Sequence, residues 1–142
     1  MGYQFIVIIL YLFLAIHYYL LTGITGAVCN IIEVVSLIVL YFQDKYNFKN
    51  KSLIAVILAL VVLIVNILMF QNIYSIFPMI ASLIVIMSFY SDNENVIRII
   101  GLIAAICWLI YAIVYKSYIS IIFGIFTILN AGLSLLKNKK KN

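Results

Sequence analysis

Six continuous apolar runs, separated by short polar connections, decide what this chain can fold into. A helix needs roughly 20 apolar residues to cross a bilayer. The runs fall near Gln4 to Leu21, Gly23 to Phe42, Ser52 to Phe70, Ile73 to Tyr90, Val96 to Tyr115 and Tyr118 to Leu136. Their Ile and Val content would suit strands, but they lack the alternation that a membrane barrel imposes, so helices are expected. With 68% of the residues apolar and only 9% charged, a water-soluble globule is excluded. The fold class that follows is all-α: a polytopic membrane helical bundle of six transmembrane helices in a single integral membrane domain.

The first run has no basic start, is too long, and shows no small-residue cleavage pattern, so it is expected to stay in the mature protein rather than leave as a signal. Cys29 and Cys107 both fall inside predicted spans, where they are expected to pack as small apolar groups without a disulfide. No cluster of His, Cys or Asp surrounds either one, and no metal or cofactor is expected.

The net charge of +5 is unevenly placed. With six spans, the N-terminus, the connections "QDKYNFKNKS" and "SDNENVIR" and the tail "KNKKKN" share one side, which holds Lys45, Lys49, Lys51, Arg98, Lys137, Lys139, Lys140 and Lys141. The other side holds only Lys116. The positive-inside rule then puts both termini in the cytoplasm of a cell bounded by this membrane. A short lysine tail after a membrane helix reads as a topology anchor or a contact with anionic head groups, so the partner expected is the lipid bilayer and not nucleic acid.

Polar groups inside the spans are few. Placing a charged side chain at mid-bilayer costs at least about 2.5 to 3.5 kcal/mol, so it should face protein or a water-filled cavity. Glu33 is the one acidic residue so placed, roughly 15 Å along its helix. Gly23, Gly26, Asn30 and Glu33 share one helix face, on which the glycines should let another backbone approach while the polar pair meets it. Two readings stand side by side: a functional lining, or interhelical glue. His17, near the outer end of the first segment and followed by Tyr18 and Tyr19, is either an interfacial ring or a solute contact. The fifth segment offers Gly101, Ala104, Ala105, Trp108, Tyr111 and Ala112, and the last has Ser120, Gly124, Thr127, Ala131 and Ser134 on one stripe with Asn130 at its edge. Such stripes suit close packing, but an aromatic beside an asparagine also cradles a sugar or an amide. Candidate lining residues are therefore His17, Asn30, Glu33, Trp108, Tyr111, Thr127 and Asn130. Pro78, the single proline, should bend the fourth segment, and Asn66 reads as one interhelical hydrogen bond.

Sliding the chain by 94 residues lays the first two segments over the last two, setting Asn30 against Gly124 and Ser36 against Asn130. The stretches "HYYLLTGITGAVCNIIEVV", "FPMIASLIVIMSFY" and "CWLIYAIVYKSYISIIFGIFTILNAGLSLL" resemble the YgjV-type bacterial inner-membrane family, which is similar in turn to the SWEET, SemiSWEET and PQ-loop transporters. The resemblance implies two three-helix bundles. Residues 1–43 would form a partial first bundle lacking its first helix, 52–70 a linker helix, 73–136 the second bundle and 137–142 a basic cytoplasmic tail. It also implies a cavity with Asn30 and Glu33 on one side and Trp108, Thr127 and Asn130 on the other. The missing helix leaves three explanations: an internal start at Met1, pairing with another subunit in a homo-oligomer, or loss of transport. The leading functional expectation is a small-solute carrier with a polar midplane site; the alternative is a non-transporting accessory or structural subunit. No nucleophile and base are paired, so an enzyme is not expected.

Overall fold

A computed structural model describes residues 2–46, 51–88, 91 and 93–139. Lys49, Lys140, Lys141 and the predicted helix end at Tyr90 lie outside these residues, as do the side chains of Lys51, Lys137 and Lys139. Among the described residues every regular element is helical: α1 (Gly2–Leu20), α2 (Ile24–Tyr46), α3 (Lys51–Leu68), a 3₁₀ turn (Ile73–Ser75), α4 (Ile76–Ser88), α5 (Glu94–Val114) and α6 (Tyr118–Lys139). Two of them, α2 over Ile24–Gln43 and α5 over Glu94–Val114, are long and apolar enough to cross a membrane, while the other apolar stretches are shorter. The sequence reading of six full spans is thus met in helix number and order, with full spanning length in α2 and α5.

Local chemistry sets the helix ends. Asn93 caps α5 by accepting the N–H groups of Asn95 and Val96 on its side chain, which starts the helix two residues before the apolar run. Glu94 in that first turn pairs with Arg98 one turn on, at 3.2 Å. The fourth segment does not run as one helix. Asn72 and Ser75 form a capping box around the 3₁₀ turn, and α4 begins only at Ile76. Pro78 is therefore the third residue of α4, in its first turn, where proline is well tolerated.

The α1–α2 and α5–α6 connections are built alike. Thr22 and Lys116 both take the left-handed conformation, with φ of 62° and 53°. Leu21 N–H bonds His17 O, Thr22 N–H bonds Tyr19 O, Gly23 N–H bonds Tyr18 O and Ala27 N–H bonds Gly23 O. In the second connection Tyr115 N–H bonds Tyr111 O, Lys116 N–H bonds Ile113 O, Ser117 N–H bonds Ala112 O and Ile121 N–H bonds Ser117 O. Each of the four bonds recurs 94 residues on, as do the end of the first helix and the start of the second. Both are Schellman-type turns, in which a residue in the left-handed region lets the chain reverse while the last carbonyls stay bonded.

The core lies between α2, α3 and α4, where Ile32, Leu58, Val62 and Ile86 pack together. Asn66 of α3 joins it by accepting a hydrogen bond from the Cys29 thiol at 2.9 Å, and it ties its own amide to Val62 O. Cys29 is thus a donor as well as a small packed group, and it is free of disulfide. The helix pairs in extended contact are α1 with α2, α2 with α3 and α4, α3 with α4, α4 with α5, and α5 with α6. The outer faces are covered in apolar side chains, among them Phe5, Phe13, Leu60, Ile64, Ile122 and Phe126, all solvent-exposed in the isolated chain. Such a surface suits hydrocarbon rather than water.

Candidate functional site

The three connections 21–23, 69–75 and 115–117 gather at one end of the bundle. Gln71 donates to Thr22 O and accepts from Thr25 N–H; Thr25 Oγ1 donates to Met69 O at 2.6 Å; Asn72 donates to Tyr115 Oη at 2.9 Å. These bonds supply partners to helix termini that would otherwise hold unsatisfied groups in a membrane. Beneath them Tyr18, Trp108, Tyr111 and Tyr115 form a continuous aromatic cluster with ring centroids 4.5 to 6.1 Å apart. Tyr111 reaches across to accept Gly26 N–H, another orphan donor in the first turn of α2. A Cβ on Gly26 would run into the Tyr111 ring, and one on Gly23 would crowd Tyr111 and Tyr115. The glycine face of α2 therefore admits aromatic side chains, where the sequence reading expected a second backbone.

Below this cluster a cavity of about 260 Å³ runs between the two helical hairpins, ending at Ser88 and Ile97 near the termini. Tyr11, Leu14 and Tyr18 wall it from α1, Asn30 and Glu33 from α2, Ala105 and Trp108 from α5, and Gly124 and Thr127 from α6. The space exists because small residues face it: a Cβ on Gly101 would meet no atom within 4 Å. The stripe of Gly101, Ala104 and Ala105 thus lines this volume.

Glu33 lies at mid-helix and is 1% exposed. Its Oε1 accepts a hydrogen bond from Ser82 Oγ of α4 at 3.2 Å, while Oε2 is enclosed without a hydrogen-bond partner. Tyr11 and Trp108 are the next polar side chains beside the carboxyl. Asn30, one turn away, spends its amide on Gly26 O at 2.8 Å. Thr127 donates to Phe123 O of its own helix.

Of the residues singled out in the sequence, the fold brings Asn30, Glu33, Trp108 and Thr127 to this one cavity. Tyr111 stands just above it in the aromatic cluster. His17 is half-buried in the last turn of α1, its Nε2 enclosed without a partner, and does not line the cavity. Asn130 also lies elsewhere, in an open groove between α1 and α6 that meets the cavity at Tyr11, Phe123 and Thr127. Sequence reasoning missed Tyr11, Tyr18 and Ser82. Tyr11 and Tyr18 are seven residues apart, on one face of α1, a spacing that offers a signal; Ser82 in an apolar helix offers none beyond its polarity.

Corresponding positions of the two hairpins line the same space: Tyr11 and Ala105, Leu14 and Trp108, Asn30 and Gly124, Glu33 and Thr127. The cavity therefore lies between corresponding faces of the two hairpins. No curated protein and no solved structure matches the chain. The profile of the family Imp-YgjV, described as a bacterial inner membrane protein, matches residues 2–142, and the chain belongs to that family.

Proposed function

We propose that this membrane protein is a small-solute carrier of the SWEET-like type, in which the two hairpins rock about the cavity between them. The observation that carries the reading is the lining itself. Residues at four pairs of equivalent positions of a repeated hairpin line one partly open space, and that space is bordered by a buried carboxyl with one oxygen unpartnered. Repeats about a midplane site are a common transporter architecture, since movement of one half against the other exposes the site alternately. The aromatic cluster would be the closed gate at one end, leaving the end near Ser88 as the route in. The solute is an uncharged or weakly polar metabolite, moved down its gradient or together with a proton carried on Glu33.

All six helices cross the bilayer in this reading, with both termini cytoplasmic. The end holding the three hydrogen-bonded connections carries Lys116 as its one charged residue among the described residues, while Lys45 and Arg98 lie at the other. Helices shorter than about 20 residues are accommodated by local thinning of the bilayer.

Purified protein in liposomes tests the carrier reading with panels of sugars, amides and nucleosides. Uptake or counterflow is expected, slowed at least tenfold by Glu33→Gln with folded yield intact. Absence of flux across all panels would leave the accessory-subunit reading, which the open α1–α6 groove favours because it offers a seat for another chain.

A further inference from the structure

The internal repeat implies a helix seat that the described residues leave unfilled. α4 packs against α5, the first helix of the α5–α6 hairpin, and against α2, the second helix of the α1–α2 hairpin. Exchanging the hairpins by the 94-residue relation turns that seat into one against α1 and α6. An open groove of about 770 Å³ lies there, walled by Leu10, Phe126, Asn130 and Leu133. Equivalent residues confirm the asymmetry. Ile32 is 9% exposed under α3 and α4, whereas its counterpart Phe126 is 68% exposed. Ser36 is fully buried, whereas its counterpart Asn130 is exposed.

Asn130 adds an independent argument. It lies roughly 18 Å along α6, at mid-membrane depth, and its carboxamide makes no hydrogen bond to another described residue. An amide facing hydrocarbon lacks both donor and acceptor partners, and lipid tails supply neither. A carboxamide is self-complementary, so the same residue on a two-fold-related helix satisfies both needs at once.

We propose that α6 of a second copy of this chain occupies the α1–α6 groove, reciprocally, in a parallel two-fold dimer with the Asn130 pair near its axis. The direction fits: α6 runs away from the 115–117 connection as α4 runs away from the 69–75 connection, so a parallel α6 enters the vacant seat with the polarity α4 has in the filled one. The dimer also closes the side of the cavity at Phe123 and Thr127. The inference concerns assembly and stands whether or not the cavity carries a solute.

Cysteine cross-linking in native membranes tests it, with the unmodified chain and its Cys29 and Cys107 as background. Phe126→Cys, Asn130→Cys and Leu133→Cys should each give an oxidised band at twice 16.2 kDa, while Leu60→Cys and Ile64→Cys on the outer face of α3 should not. Asn130→Leu, an exposed substitution that leaves the fold intact, should weaken the dimer in mild detergent roughly three- to tenfold. The proposal is overturned if the groove positions yield no homodimer band, if the α3 positions cross-link instead, or if the groove cysteines join a different polypeptide.

Discussion

Gly26 shows what single residues contribute here. Its hydrogen atom is the space that Tyr111 fills, and its N–H is the group that Tyr111 caps. Gly26→Ala should displace the ring and leave a donor unpaired, costing about 2 to 3 kcal/mol, read as a lower thermal midpoint and a changed near-ultraviolet dichroism of the aromatic cluster. Gly101→Ala should raise the midpoint slightly, because a Cβ there meets nothing within 4 Å and alanine in a helix interior is about 0.5 to 1 kcal/mol more stable than glycine; it should also narrow the cavity. In the sequence the two glycines look alike. The apolar setting of Glu33 and Asn30 makes them legible as candidates, because polarity in a lipid-facing run is costly wherever it occurs. The role of Ser82 is not legible, since a serine tolerated in a membrane helix gives no sign of what it will meet.

At the scale of elements, the sequence reading of helix number, order and approximate bounds agrees with the structure, and the departures have local causes. Asn93 extends α5 backwards, and the Asn72–Ser75 box opens the 3₁₀ turn that leads into α4. The repeat is faint in side chains yet four backbone hydrogen bonds recur in the connections, because a Schellman turn is specified by backbone geometry that many residue types can adopt. Two of those types fit poorly: Thr22 and Lys116 hold left-handed conformations that glycine adopts without strain. Thr22→Gly and Lys116→Gly should each stabilise the protein by about 1 kcal/mol, seen as a rise of a few degrees in thermal midpoint, with the two increments adding. A loss of stability at either site would mean that its side chain makes a contact worth more than the strain.

At the scale of the whole molecule, the cavity abuts the aromatic cluster at one end and continues towards Ser88 and Ile97 at the other, and in the proposed carrier the cluster is the closed gate. A charged thiol reagent should therefore modify Thr127→Cys when added from the side of the termini and spare it when added from the side of the connections. Paired reporter fusions at both termini should both report the cytoplasm. Labelling from the connection side alone would reverse the assignment of the closed gate.

The sequence by itself determined that this chain lives in a membrane, how many helices it forms, where they begin and end within a few residues, and which residues are too polar to sit idle. Those properties follow from transfer into hydrocarbon, which each residue experiences largely on its own. Only the tertiary structure decided that Asn30, Glu33, Trp108 and Thr127 surround one space, that Tyr111 caps α2, and that Ser36 is covered while Asn130 is bare. The physical reason is that in a bilayer the inside and the outside of a bundle are both apolar. Hydropathy separates lipid from water but not a face meeting lipid from a face meeting another helix, and that second choice is made by packing alone.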